Sequence, residues 1–367
     1  AGEGGDVNYY PKTSAVDTLD AIEGWEKVTT PGSTRWARIT YFPNIFMAVG
    51  SPATGSTFIM RSGDGKNWTA TANPPSVVGG LVGIAVWTPG TTKWVTIDAN
   101  RIYVSSNNGD SWTLASMPDG VFLRDVATGN GLAVVVADKG IFYSSNGSTW
   151  NSPSSLPNAD VPNMDLQSVA YGNGVWVAVG RSGSNRVKYS TNNSQTWQNT
   201  GAGTEIDNNE WYGVCYGNGM FVAVARDGNN RAMYSSDGIN WTLTTPPTTD
   251  YWNDVVYGDG KFIAVSAYGP GQTMTSEDAI NWTVEKVGGS DVYTSISYAA
   301  NIGSNGRYVA VSSSDPGSAI WSETGVGGGT TLTLTNNKTF DSTDDSEQGT
   351  IQSDLTPGTK VTSDTAP

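Results

Sequence analysis

Apolar and polar residues alternate with a period of two through most of the chain, and no stretch keeps the helical spacing of three and four. The clearest run is Val169-Ala170-Tyr171-Gly172-Asn173-Gly174-Val175-Trp176-Val177-Ala178-Val179, matched closely by Val214 to Val224. Two β-branched and aromatic segments around Gly-Asn-Gly or Gly-Asp-Gly read as a tight β-hairpin. Further copies stand at Val126 to Val136 and Val255 to Val265, with looser ones at Ile39 to Val49, Ile84 to Ile97 and Ile296 to Val311.

Between these hairpins a second pattern returns. Its fullest copy is Ser235-Ser236-Asp237-Gly238-Ile239-Asn240-Trp241-Thr242, and it recurs as Ser62 to Thr69, Ser106 to Thr113, Ser144 to Trp150, Thr191 to Trp197 and Ser276 to Thr283. Each copy supplies a side chain able to accept backbone N–H bonds, assigned to Asp64, Asn108, Asn146, Asn193, Asp237 and Asp278. A residue that tolerates positive φ follows, and an indole closes the turn: Trp68, Trp112, Trp150, Trp197, Trp241 and Trp282. With Trp25 these tryptophans mark seven units, and four strands in each roughly forty-residue unit are the signature of a β-propeller.

The expected fold is therefore all-β, a propeller of seven four-stranded antiparallel blades. A ring must seal its own ends to leave no open sheet edge. Trp25-Glu26-Lys27-Val28-Thr29-Thr30-Pro31 has the layout of an outer strand, while Trp321-Ser322-Glu323-Thr324-Gly325 is a box without its following Trp. The two halves together make the seventh blade, so removing Ile22 to Pro31 should weaken the whole ring. Residues 1–20 read as an N-terminal arm, 21–326 as the propeller, and 327–367 as an acidic, Thr-, Ser- and Gly-rich C-terminal arm with one strand-like run, Thr331 to Thr335.

Composition narrows the partners. Twenty Lys and Arg against 34 Asp and Glu give a net charge of -14, which opposes phosphate backbones and anionic lipid. No run approaches the ~20 apolar residues that span a bilayer. Neither nucleic acid nor membrane insertion is expected. The chain has no histidine, which excludes His-based triads and His-ligated metals, and its one cysteine, Cys215, sits in an apolar run as a core residue. No cofactor and no metal site are expected.

The boxes around Ser235, Asp237, Gly238 and Trp241 resemble the Asp-box, or BNR, repeat of sialidases, sortilin-type receptors, photosystem II assembly factors and propellers of bacteriophage virion and tail proteins. The resemblance covers about Trp25 to Gly325 and implies that the boxes are structural, on the face opposite the usual ligand site. A sialidase would bring an arginine triad, a Tyr nucleophile activated by Glu and an Asp acid/base. Arg38-Ile39-Thr40 is the nearest match to the Arg-Ile-Pro motif and lacks the Pro, and no Tyr–Glu pair stands out. No catalytic residue is assigned.

A ligand is expected at the other face, formed by loops before each innermost strand and between second and third strands. Three residues before the strand markers stand Trp36, Leu81, Leu123, Leu166, Trp211, Trp252 and Tyr293. Two readings stay open: wedges between blades, or, for Trp211, Tyr212, Tyr251 and Trp252, an aromatic platform for a sugar or protein. Arg181 and Arg186 align with Arg226 and Arg231 in two adjacent blades, offering a dock for carboxylates. The function expected from these features is a non-enzymatic attachment or assembly module of a phage virion or bacterial surface. The arms would contact other virion or surface proteins, and the loop face a host glycan or protein. The alternatives are a sialidase-like glycosidase and a protein-binding scaffold factor.

Overall fold

The computed structural model describes residues 24–323, apart from 55–57, 78, 89, 118–119, 158–163, 201–204, 269–271, 288–290, 303–304 and 314–317. Both expected arms, the Thr331 to Thr335 run and Ile22 lie outside the described residues. Seven antiparallel sheets stand as blades around an axis. Their innermost strands are Ser33–Phe42, Leu81–Trp87, Leu123–Gly129, Leu166–Gly172, Glu210–Gly217, Trp252–Gly258 and Tyr293–Ile302; each touches the next, and the last touches the first.

Apolar side chains gather in seven clusters, one in each seam between neighbouring blades. Second strands such as Leu132–Ala137 are buried along their whole length because both faces meet a seam. That is why they read as unbroken apolar runs. Several seams add a lock of shape. A Cβ at Gly129, Gly172, Gly217 or Gly258 would overlap the ring of Tyr171, Tyr216, Tyr257 or Tyr298 from the following blade. The Tyr-Gly pair in the hairpin pattern is thus a key and its slot.

The hairpins themselves turn at Asn130, Asn173, Asn218 and Asp259, with φ between 43° and 48°, each followed by a glycine also at positive φ. These are the paired left-handed residues that the twist of two antiparallel strands favours. Six blades have four strands. The third departs from expectation: its outer strand shrinks to one bridge, Tyr143 with Asn151, before Pro153. A proline has no N–H to extend a ladder, and Ser155 bridges instead to Thr196 of the next blade.

The seventh sheet closes as expected. Glu26–Thr29 pairs with Ser318–Glu323 through Glu26↔Trp321, Lys27↔Ile320, Val28↔Ala319 and Thr29↔Ser318. Trp25 is 4% exposed and lies 6.4 Å from the Tyr308 ring. In the seam between the seventh and first blades Lys66 and Arg307 both stack on Trp321, at 3.6 and 4.8 Å from the ring centre, and both reach the Glu323 carboxylate. Trp25, entering from the other end of the chain, takes the place of the box tryptophan in the seam with the sixth blade.

The repeated turns share one hydrogen-bond plan. In the Asp237 turn, Ser235 Oγ accepts from Gly238 N, Asp237 Oδ1 accepts from Ile239 N and Asn240 N, and Asp237 Oδ2 accepts from Asn240 Nδ2. Trp241 Nε1 then donates to Gly238 O. The turns at Asp64 and Asp278 follow this plan, and Asn146 keeps its Oδ1 and indole bonds, accepting from Ser148 N and Thr149 N while Trp150 Nε1 donates to Gly147 O. Two assignments need correction. In the second and fourth blades the accepting side chain is Asn107, not Asn108, and Asn192, not Asn193. Here the serine lies seven residues before its tryptophan, Ser105 to Trp112 and Ser190 to Trp197, so the extra residue takes positive φ: 56° at Asn108 and 61° at Asn193. Chemistry changes with length. Where Asp stands, its carboxylate accepts from an Asn amide; where Asn107 and Asn192 stand, the amide donates to Ser111 Oγ and Thr196 Oγ1.

These bonds control titration. Burial raises the carboxyls of Asp64 and Asp237, but the N–H groups of Asn67 and Asn240, with further bonds from Lys66, Ile239 and the two serines, outweigh it and bring both to about 2. Asp278 is likewise depressed by Asn281 and Ile280. A depressed carboxyl stabilises the fold above its unfolded value near ~3.9 and loses that contribution as pH falls through the folded value. Stability should therefore fall on acidification from about pH 4 to about pH 2, and the triple change Asp64→Asn, Asp237→Asn and Asp278→Asn should flatten that slope in urea titrations at stepped pH. Trp25→Ala should cost about 3–5 kcal/mol, seen as a lower urea midpoint; an unchanged midpoint would remove the seventh sheet as the ring's lock.

Candidate functional site

Every innermost strand carries a β-bulge near its start, between Trp36/Arg38, Leu81/Gly83, Leu123/Asp125, Leu166/Ser168, Trp211/Gly213, Trp252/Asp254 and Tyr293/Ser295. A bulge sets two residues against one and re-aims the side chains around it. Three stacked rings of residues result.

The first ring, Trp36, Leu81, Leu123, Leu166, Trp211, Trp252 and Tyr293, is at most 2% exposed and fills the seams. Trp211 and Trp252 are therefore not part of an exposed platform. The Trp211 indole packs in the seam shared by the fourth and fifth blades and donates to Ile206 O at 2.9 Å. The Trp252 indole lies in the following seam.

The ring after the bulge is Arg38, Gly83, Asp125, Ser168, Gly213, Asp254 and Ser295. It stitches blade to blade. Asp125 Oδ2 accepts from Ser168 Oγ and Val169 N, and Ser168 Oγ accepts from Val214 N. Asp254 Oδ2 accepts from Ser295 Oγ and Ile296 N, and Ser295 Oγ accepts from Ile39 N. Arg38 spans the gap left by Gly83, its Nε 3.6 Å from Asp125 Oδ1. Burial pushes the Asp254 carboxyl up, against the pull of Arg38 and of the Ser295 and Ile296 bonds. Nearby Cys215 is half-buried rather than fully so, and burial raises its thiol too.

The bulge residues form the mouth: Ala37, Val82, Arg124, Gln167, Tyr212, Asn253 and Thr294. An arc of bonds runs over them. Asp165 receives Arg124 at 3.4 Å, Gln167 Nε2 at 2.9 Å and Arg181 Nε. Arg181 Nη1 donates to Tyr212 Oη at 3.3 Å, and the Arg226 guanidinium carbon lies 3.9 Å from the centre of the Tyr212 ring. Arg226 donates through Nε and Nη2 to Asn253 Oδ1, and Asn253 Nδ2 donates to Thr294 O, which also accepts Arg38 Nη1. Among the described residues, Arg226 makes no ion pair. Burial lowers it, the Tyr212 hydroxyl opposes that, and the charges of Arg38 and Arg181 lower it again. Four guanidiniums, of Arg38, Arg124, Arg181 and Arg226, thus share one mouth in an acidic protein.

The other expected arginines do a different task. Arg186 Nη1 donates to Asn209 O at 2.8 Å, and Arg231 Nη1 donates to Asp250 O at 2.9 Å and to Thr249 O. Each ties one blade's loop to the lead-in of the next. Tyr251 stands out at 40% exposed, backed by Arg231 at 5.5 Å. The alignment that paired Arg181 with Arg226 and Arg186 with Arg231 was thus visible in the repeat, whereas Asp165, Asn253 and Tyr268, the aromatic neighbour of Tyr251, gave no motif to find them by.

No known family model matches the chain, and no match was found among curated proteins. Its fold is shared by solved structures at low identity. YCF48 bound to a D1 peptide is 15% identical with a TM-score of 0.59, the match covering 82% of this chain and 96% of that one. A catalytically inactive histidine variant of Staphylococcus aureus virginiamycin B lyase with quinupristin is 13% identical, TM-score 0.66, covering 81% and 98%. The Niastella koreensis GH74 enzyme is 16% identical, TM-score 0.58, covering 79% of this chain and 43% of that one.

Arg231→Ala should strip its bonds from the carbonyls of Gly228, Thr249 and Asp250 and cost about 2 kcal/mol of stability in urea unfolding, without altering any ligand bound beside Arg226.

Proposed function

We propose that this protein is a non-enzymatic attachment or assembly module, an Asp-box propeller serving as a structural or receptor-binding part of a phage virion or bacterial surface. The observation that carries this reading is Arg226, which makes no ion pair among the described residues, stacked on Tyr212 beside Arg181 and Arg38 at the axial mouth. A guanidinium held this way has donors free for an anion and little left to lose in ordering. The carboxylates nearby are committed elsewhere: Asp125 and Asp254 to the next blades, Asp165 to Arg124, Gln167 and Arg181. The mouth therefore has groups to hold a carboxylate, while Asp125, Asp254 and Asp165 are already engaged by other residues.

The division of faces agrees with an adaptor. The first strand enters, and Ser318–Glu323 ends, beside Lys66 in the turn of the first blade, on the side opposite the mouth. Arms leaving there would bind other components of a particle while the mouth stays open to a glycan or protein. The serine–aspartate–tryptophan turns support the Asp-box kinship through their shared hydrogen-bond plan. Two similar structures hold ligands, a D1 peptide in one and quinupristin in the other. The lyase is inactivated by replacing a histidine, and this chain has none.

A sialidase-like reading draws on the same trio of arginines. It predicts turnover of a fluorogenic sialoside that Arg38→Ala abolishes; the binding reading expects no turnover. In a capture assay on immobilised carboxylate-bearing glycans and peptides, Arg226→Ala should lower retention about tenfold or more at unchanged melting temperature. Equal retention by the variant would remove the mouth as the binding surface.

A further inference from the structure

Two tyrosines stand together on the mouth face of the sixth blade. Tyr251 is 40% and Tyr268 66% exposed, and their rings meet edge to face with centroids 5.1 Å apart and planes at 71°. The other large apolar side chains that are this exposed among the described residues are Leu114, Phe122 and Ile280, on other blades or on a box turn. A tyrosine pair exposed to this degree is not needed by the seam beneath, which Trp252 and Val255 already fill.

The backbone that carries the pair is also tied down. Ala267 N donates to Tyr251 O at 2.7 Å, which joins the two loops. Tyr268 N donates to Ser266 Oγ, whose hydroxyl donates to Tyr268 O. Beneath Tyr251, Arg231 is fixed by Asp227 Oδ1 and by the carbonyls of Gly228, Thr249 and Asp250. The backbone under both rings is thus set before any ligand arrives, which limits the entropy lost on binding.

From this geometry we infer that Tyr251 and Tyr268 form a stacking site for a pyranose ring of a glycan. The inference rests on the mouth being the binding face and names the class of ligand it takes. Tyrosine presents an apolar face for the C–H side of a sugar and a hydroxyl at its rim for the sugar's own hydroxyls. Aliphatic side chains suited to gripping a peptide are not exposed beside the pair among the described residues. A net charge of -14 disfavours a long polyanion, so the fitting ligand is a mostly neutral chain, with at most an isolated carboxylate for Arg226.

The test is an array of neutral hexose oligosaccharides and the same chains ended by one uronate, probed with the whole protein. The native protein should bind both kinds. Tyr268→Ala should reduce both signals by about tenfold, Tyr268→Phe should keep most of the binding, and Arg226→Ala should reduce only the uronate-ended set. Melting temperatures should not move for the Tyr268 variants, since that side chain is mostly in solvent. Absence of binding to every oligosaccharide, binding indifferent to Tyr268→Ala, or retention of an acidic peptide library in place of glycans would each overturn the inference. Loss with Arg226→Ala but not with Tyr268→Ala would overturn it while leaving the proposed mouth site standing.

Discussion

No blade in this protein has a core of its own. Each sheet is apolar on both faces, and every apolar cluster is shared by two neighbours, so a sheet missing either neighbour would expose half of what it buries. Burial of this kind is favourable by roughly 25 cal/mol per Å2, which makes an open arc of blades costly at both ends. Closure is therefore the condition for the rest of the structure. It is met when Glu26–Thr29 completes the sheet that Ser318–Glu323 leaves unfinished. The seam around Trp36, Phe46, Val309 and Trp321 is then as full as the other six.

From closure follows the form of the mouth. Seven strands converging on one axis must crowd at their starts, and each meets the crowding with a bulge at the same place. The bulge separates three tasks by one residue each. A large side chain goes into the seam, the next goes to the mouth, and the third, except at Gly83 and Gly213, bonds across to the neighbouring blade. Tyr212 and Trp211 are adjacent in sequence yet differ wholly in exposure to a ligand, since Trp211 is buried and Tyr212 is the ring beneath Arg226. The acidic residues at the axis, Asp125 and Asp254, are spent on holding blades together, and the cations around them are left to define the mouth.

Much of this was legible before any coordinates. The Gly-Asn-Gly hairpins, the recurring serine–aspartate–tryptophan turn and the split seventh unit fixed blade number, strand order and the place of closure, because each depends on local backbone chemistry that a short motif carries. What was not legible depends on contacts between units. A single-residue lengthening of the turn moved the accepting amide to Asn107 and Asn192, although the partner change from Asn to Ser111 and Thr196 was a sign of it. The aromatic platform placed at Trp211 and Trp252 failed because a bulge shifts the two-residue period, and period alone cannot say where a bulge lies. Tyr268 had no signal at all: it sits in a loop without a repeat, and its neighbour Tyr251 comes from a different loop. The arginine pairs aligned in the two repeats turned out to divide, Arg181 and Arg226 at the mouth, Arg186 and Arg231 as ties between blades.

The closing ladder also has a direction under load. Glu26 pairs with Trp321 and Thr29 with Ser318, so the entering and leaving strands run antiparallel, and their outward ends emerge side by side. Tension that pulled those ends apart would act on the Glu26 pair first and peel the ladder one rung at a time, with Lys66, Arg307 and Glu323 clamped around Trp321 at the point of peeling. Tension that pulled both ends the same way, against a ligand held at the far face, would pass through the ring without parting them. Such a module is mechanically sound when one anchor holds both of its ends, and weak when two anchors share them.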